Sequence, residues 1–362
     1  MGSCSSMKTK QYRTIIGVDL GDKKHHVCIT DKDGTIILEK TISNNHRQLS
    51  KLAFEHKGAL FAVEVGVHSP WVSRLIKASG CSCLVANARK LRAIYQNDRK
   101  CDMLDARMLA KIARVDPELL SPIQHGSEER QLHRLSITLR DSLVRQRVNI
   151  ISTVRFSLKS LGMRLPGCST PYFANLCRKE LAGSPLLEVI SGSLEALDGL
   201  DEQIKKLDKR IEQIAAQFYP QTRLIQQIAG VGPITSLSFV LAVGEPDRFK
   251  NPRDVGAYLG LVPRRDQSGQ SDKQLPISKA GNREVRRLLV QAAQYILGHF
   301  GPDCDLRRYG LNIAASGGKA AKRKAVIAVA RKLAVLMLVL WKTEQSYEPL
   351  RNTQMKEAEE AA

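Results

Sequence analysis

Thr14-Ile15-Ile16-Gly17-Val18-Asp19-Leu20-Gly21 decides the reading of this chain. The run is apolar and β-type, and one acid sits near its end. A carboxylate inside an apolar strand is costly unless its charge is compensated. A divalent cation, which takes oxygen ligands, is one such compensator. The pattern returns in Leu60-Phe61-Ala62-Val63-Glu64-Val65-Gly66. A third stretch, Cys101-Asp102-Met103-Leu104-Asp105-Ala106-Arg107-Met108-Leu109-Ala110, reads as a helix. Asp102 and Asp105 are three apart and therefore share a helix face. Singly, each acid has an ordinary explanation: a strand-end residue, or a solvated helix face beside Lys100 and Arg107. Together, two strand acids and a helix pair form a donor set for two Mg²⁺ ions clamping a phosphodiester.

Working outward, residues 12–42 read as a β-meander. Its strands are Thr14–Leu20, His26–Thr30 and Thr35–Ile42, with Asp31-Lys32-Asp33-Gly34 as a turn. Residues 46–57 are expected to be helical, and Leu60–Val65 returns as a strand. Pro70 opens a helix that ends near Gly80. Ser82–Ala86 is a strand, and helical patterns run from Ala88 to Ala113. Three strands followed by alternating helix and strand predict an α/β domain with a mixed sheet over residues 12–125. This is the order of the ribonuclease H-like fold.

Residues 126–220 predict a helical or coiled-coil region. Leu132, Leu135, Leu139 and Leu143 recur at helical spacing. A break at Pro166, Gly167 and Pro171 precedes a second long helix from Leu186 to Phe218, whose heptad-like step is interrupted by Asp201. An antiparallel hairpin, a dimerising coiled coil and two helices packed on their own domain all fit. Residues 221–345 predict a mostly helical domain. In it, Gly230-Val231-Gly232-Pro233 resembles the turn of a helix-hairpin-helix, whose backbone N–H groups hold a DNA phosphate. The polar tail, 346–362, is expected to be disordered.

Charge narrows the partner. The 362 residues include 56 Lys and Arg against 36 Asp and Glu, a net +20. Such an excess argues for nucleic acid. Candidate contacts are Gly230, Gly232, Arg264, Arg265, Lys273, Lys279, Arg283, Arg287, Lys319, Lys322 and Arg323. Ser316-Gly317-Gly318-Lys319 is no phosphate-binding loop of the Walker type, because Ala320 stands where Ser or Thr is required. The eight cysteines include no C-x-x-C pair and no zinc spacing, and read as free thiols of a reducing cytoplasm. The first residues have no apolar core, so no secretory signal is expected. The longest apolar run, Leu333 to Trp341, is too short for a bilayer, so no membrane partner is expected.

Pro263-Arg264-Arg265-Asp266-Gln267-Ser268-Gly269-Gln270-Ser271-Asp272-Lys273 combines serine, glycine and cations in what reads as a loop. A serine oxygen attacking phosphate needs in-line approach and positive charge beside it. A turn serine is the ordinary alternative.

The chain resembles the DEDD insertion-sequence transposases related to the Piv DNA inversion recombinase, a family of bridge-RNA-guided recombinases. The matching stretches are Ile16-Gly17-Val18-Asp19-Leu20-Gly21, Ala62-Val63-Glu64, Asp102-Met103-Leu104-Asp105-Ala106, Gly230-Val231-Gly232-Pro233, Tyr258-Leu259-Gly260-Leu261-Val262-Pro263 and Ile277-Ser278-Lys279-Ala280-Gly281-Asn282. The resemblance implies a RuvC-like nuclease domain, a coiled-coil insertion and a C-terminal transposase domain. It implies that Asp19, Glu64, Asp102 and Asp105 bind Mg²⁺, and that a C-terminal serine becomes linked to a 5′ phosphate of DNA. It further implies a homo-oligomer (dimer or tetramer), a structured non-coding guide RNA, and action on nucleoid DNA. Many members carry serine followed closely by Gly-Gly-Lys, and this chain does not. Ser268 keeps the better spacing to Ile277-Ser278-Lys279 and is favoured over Ser271.

Overall fold

In the computed structural model, residues 12–87, 101–268 and 271–360 are described. They divide into two compact units, residues 1–128 and 129–362. The first is mixed α/β and the second is mostly helical.

The N-terminal unit holds a five-stranded sheet of β1 (Thr14–Leu20), β2 (Lys24–Asp31), β3 (Ile36–Ser43), β4 (Leu60–Glu64) and β5 (Ser82–Ala86), in the order β3-β2-β1-β4-β5. β1 to β3 pair antiparallel, while β4 and β5 run parallel to β1. The short Asp31–Gly34 turn permits the antiparallel pairing. The parallel strands need crossovers, supplied by α1 (His46–Glu55) and α2 (Ser69–Ala78).

Side-chain alternation divides the sheet into two faces. Ile16, Val18, Val27, Phe61 and Val63 pack with Leu49, Leu52, Val72 and Ile76 of α1 and α2. Ile15, Cys28, Leu60 and Ala62 face the opposite way, onto α3 (Asp102–Val115), through Ala106, Leu109, Ala110 and Ala113. The helix expected from Ala88 is described only from Asp102; residues 88–100 lie outside the described residues.

In the second unit, α4 (Glu128–Ser160) and α6 (Pro185–Phe218) are joined through the short α5 (Phe173–Glu180). Arg140 pairs with Asp208 at 2.7 Å and Arg147 with Asp201 at 2.6 Å, so the two long helices run antiparallel. The two helices form a hairpin and also pack on their own domain, with Ile137, Ile211 and Ile214 in one cluster with Leu237 and Leu241. Asp201, which interrupts the apolar step, is the half of a largely buried ion pair. The leucine stripe of α4 does not form the hairpin's core. Leu132, Leu135 and Leu139 are 59%, 48% and 50% exposed, whereas Ile137, Val154 and Leu158 are buried. Helical spacing gives a face but not which neighbour covers it.

The remaining helices are α7 (Thr222–Ile225), α8 (Pro233–Val243), α9 (Asp254–Tyr258), α10 (Arg283–Leu297), α11 (Asp305–Ala314) and α12 (Gly318–Thr343). Their core centres on α12, whose Val329, Leu333, Met337 and Leu338 are fully buried. The apolar run after Arg331-Lys332 is therefore the heart of a domain. No described helix is long and apolar enough to cross a membrane.

The tail departs from its expected disorder. Residues Arg351–Glu360 form α13. Asp305 ties the segment down: its N–H donates to the Pro349 carbonyl at 2.8 Å, and its carboxylate accepts from Asn352 N–H at 2.8 Å and Thr353 Oγ1 at 2.7 Å. Composition alone does not reveal such a partner.

Candidate active site

Asp19 and Glu64 lie at the C-terminal ends of parallel neighbours. The β1–β4 register runs from Ile15↔Leu60 to Val18↔Val63, which sets Asp19 beside Glu64 at the next step. By parity, both project toward α3, with Ile15, Leu60 and Ala62. Asp102 and Asp105 occupy the first turn of that helix. Negative charge there is favoured by the helix dipole, so the pair has a structural use as well.

Gly17 brings helix and strand together. A Cβ at that position would lie 2.0 Å from the Ala106 carbonyl oxygen and 2.6 Å from the Ala110 nitrogen. Only hydrogen fits, and α3 can therefore press its backbone onto β1. Arg107 fastens the same helix laterally through a bidentate ion pair with Glu39 of β3.

The electrostatics of Asp19 reflect its burial and its acidic neighbours. Burial first, then the charges of Asp102, Asp105 and Glu64, push its carboxyl up to about 6, opposed by His26. A half-buried carboxylate repelled by three others is a group whose ionisation a cation would favour. The donor set, four hard oxygen carriers, suits Mg²⁺ in type. The side chains do not close on one point, however. Among the described residues, no three His, Cys, Asp or Glu stand in a ready-made ligating arrangement. The four acids share the side of the sheet that α3 covers, without forming a ready-made metal cluster among the described residues. Mutual repulsion of like charges opposes a tighter cluster.

One neighbour escapes the sequence reading. His26 pairs with Asp19 across the β1–β2 ladder, and its Nε2 lies 3.6 Å from Asp102 Oδ2. The sequence shows two adjacent histidines in a strand. Which one faces the acids depends on a register the sequence does not display. His25 is fully buried on the other face, and His26 is the one at the acids.

In the second unit, the serine loop is a β-hairpin. β6 (Pro263–Ser268) pairs antiparallel with β7 (Ser271–Ile277), and Ser268↔Ser271 is the last pair. Gly269 and Gln270, which connect them, lie outside the described residues. The overlooked signal is a two-residue Gly-X link between two runs, a hairpin connection. Both candidate serines therefore stand at the far end of the ribbon.

The ribbon is anchored at its base. Gly260, at φ +71°, meets the Ala280 backbone so closely that a Cβ would lie 2.3 Å from its carbonyl oxygen. Gly281, at φ +69°, lies equally tight against the Tyr258 carbonyl. Arg286 is 9% exposed. Its Nη1 donates to the carbonyls of Leu259 at 2.9 Å and Ala280 at 2.7 Å, clamping the crossing.

The basic candidates are exposed: Arg264, Arg265, Lys273, Lys279, Arg283, Arg287, Lys319, Lys322 and Arg323. Arg265 forks onto Asp272 across the hairpin, at 2.7 and 2.6 Å, and Arg287 pairs with Asp141. Gly232 caps α8 with open space around it, but Gly230 has a packing reason, since a Cβ there would come 2.9 Å from the Tyr295 ring.

Comparison with known proteins follows these two centres. The DEDD transposase model of IS110 elements matches residues 16–162, which contain all four acids. The model described as "Transposase IS116/IS110/IS902 family" matches residues 222–308, which contain the hairpin. The transposase for insertion sequence element IS1111A of Coxiella burnetii is 25% identical over 345 residues, covering 92% of this chain and 91% of its own length. The transposase for IS1328 of Yersinia enterocolitica is 27% identical, covering 78% of this chain and 83% of its own. The pilin gene-inverting protein of Moraxella bovis is 26% identical over 151 residues, 41% of this chain and 46% of its own. Residues 16–162 and 222–308 thus match, in that order, two models of insertion-sequence transposase domains, and the chain is a DNA-cleaving and strand-transferring enzyme.

Proposed function

We propose that the protein is a site-specific recombinase that moves its own insertion sequence, using the acid face as a Mg²⁺ site and Ser268 as nucleophile. The observation that carries the reading is that Asp19 and Glu64, at the C-terminal ends of the adjacent inner strands β1 and β4, face the helix whose first turn holds Asp102 and Asp105, in the strand order of a ribonuclease H-like domain. Mg²⁺ held there supplies charge stabilisation at the reacting phosphate.

In the proposed step, Ser268 Oγ attacks phosphorus and forms an O–P bond. The bond from phosphorus to the 3′ oxygen breaks, and that oxygen takes up a proton as the serine gives one up. A 5′ phosphate stays on the protein and a 3′ hydroxyl is freed, so the phosphoester energy is kept for rejoining. Arg264 and Lys273, exposed on the same ribbon, supply positive charge near the developing anion. Gly232, Lys279, Arg283 and the Lys319–Arg323 run are assigned to the nucleic-acid backbone, and a structured guide RNA is assigned as the second polyanion. The exposed Leu132, Leu135 and Leu139 are the surface we assign to a second copy in a homo-oligomer.

A RuvC-type hydrolytic nuclease uses the same acids without a serine link, and one assay separates the two. With labelled recombination substrate and Mg²⁺, wild type should give a denaturant-resistant protein–DNA adduct. Ser268→Ala should lose the adduct while still binding DNA. Asp105→Asn should lose cleavage altogether. Survival of the adduct in Ser268→Ala and its loss in Ser271→Ala would move the nucleophile three residues along. Cleavage with no adduct in any protein would establish the hydrolytic enzyme instead.

A further inference from the structure

We propose that His26 is a positioning residue of the acid site, holding Asp102 in a fixed orientation through its Nε2; the proposal rests on reading the four acids as a metal site. Asp19, His26 and Thr41 form one row across β1, β2 and β3, each paired with the next in register. Thr41 Oγ1 lies 3.2 Å from His26 Nδ1, and Asp102 Oδ2 lies 3.6 Å from Nε2.

The chemistry of the row selects a tautomer. Neutral imidazole has one N–H and one lone pair. A threonine hydroxyl can donate into the Nδ1 lone pair, which leaves the proton on Nε2, facing the carboxylate. Asp102 needs such a partner more than the other acids do, because its side chain is 63% exposed. An exposed carboxylate on a helix's first turn samples several rotamers, and ordering it on metal binding costs entropy. A separation of 3.6 Å is just beyond hydrogen-bond length, and a small rotation of Asp102 about its own side-chain bonds closes it. Hydrogen-bonded partners behind ligating side chains orient them and tune the metal. His26 is 28% exposed and sits on the rigid middle antiparallel strand, so it can act as the fixed point.

The test is Mn²⁺ binding to the full chain, followed by electron paramagnetic resonance of the free ion, with circular dichroism as a check on folding. Wild type, Asp102→Asn, His26→Ala, His26→Gln and Thr41→Val are compared. His26→Ala should bind Mn²⁺ about tenfold more weakly, the lower end of the effect of outer partners on metal affinity. His26→Gln, which can still offer an N–H to Asp102, should recover most of the loss. Thr41→Val should lose less than His26→Ala. Strand cleavage by His26→Ala should return at saturating Mn²⁺, since only ligand orientation has been disturbed. Wild-type affinity in His26→Ala, with affinity lost in Asp102→Asn, overturns the role of His26 alone. Wild-type affinity in Asp102→Asn as well overturns the metal site itself. A cleavage defect in His26→Ala that persists at saturating Mn²⁺ overturns positioning in favour of direct action on DNA. If His26→Ala fails to fold, Thr41→Val and His26→Gln carry the test, and unchanged affinity in Thr41→Val counts against the proposal.

Discussion

Gly17 at the acid face and Gly260 with Gly281 at the hairpin base solve the same steric problem with different outcomes. In each place two backbones touch where any side chain would intrude. At Gly17 the functional groups sit on the contact itself: Asp19 is two residues on, and Asp105 directly precedes Ala106, the residue Gly17 touches. At Gly260 the contact lies eight residues from Ser268, at the other end of a two-stranded ribbon. Metal ligands must be held to fractions of an ångström by rigid elements. The proposed nucleophile, which has to meet DNA, can stand at the end of a lever, provided the fulcrum is firm. The backbone of one centre is thus packed along its length, that of the other only at its root.

That contrast is open to direct attack, and the most damaging change should be Gly17→Ala. Its methyl group would overlap backbone on α3, so the helix must retreat. The stability cost should reach or exceed the roughly 1–3 kcal/mol of core overpacking. Cleavage should fall more than DNA binding, because Asp102 and Asp105 move with the helix. Denaturant unfolding and a cleavage assay check this; normal cleavage would show that the acids tolerate displacement.

Arg286→Ala should come next. It removes a buried cation from two carbonyls, and bonds to a charged group contribute roughly 1.5–3 kcal/mol each to stability. The acid site belongs to the other unit, so Mn²⁺ binding should be unchanged while adduct formation falls. Equal loss of both would erase the distinction between the two centres.

Asp19→Asn should give the smallest effect, and a stabilising one. The Asp19 carboxyl is raised from 3.8 to about 6, so the folded state holds its proton more tightly than the unfolded chain. Its ionisation therefore costs stability progressively as pH rises through about 4 to 6, and fully above that window. In chelator at pH 7.5 the variant should melt above wild type, and the gap should close near pH 4. Added Mg²⁺ should raise the wild-type Tm and leave the variant unmoved, because a ligand stabilises only the state that binds it. Identical melting curves in chelator across this range would show that the repulsion at Asp19 is not felt.

Much of this was legible in the residues. Thr14–Leu20 and Ser82–Ala86 form strands with the expected bounds, because short apolar runs bounded by turn residues read as buried strands. Asp19 and Glu64 stand out because charged groups in apolar runs are rare and costly, and Asp102 and Asp105 because their spacing sets them on one helix face. The +20 charge marks the partner class without any fold. Tertiary structure decided the rest, through pairings between residues distant in sequence. Register chose His26 over His25 for the acid face, since a one-residue slip exchanges the two sides of a sheet. Packing made Arg286 a buried clamp and left the leucines of α4 outside, since a periodic face does not specify its neighbour. Asp305 ordered a tail that composition would leave free. Local chemistry fixes which residues are unusual; only long-range contact fixes what each one meets.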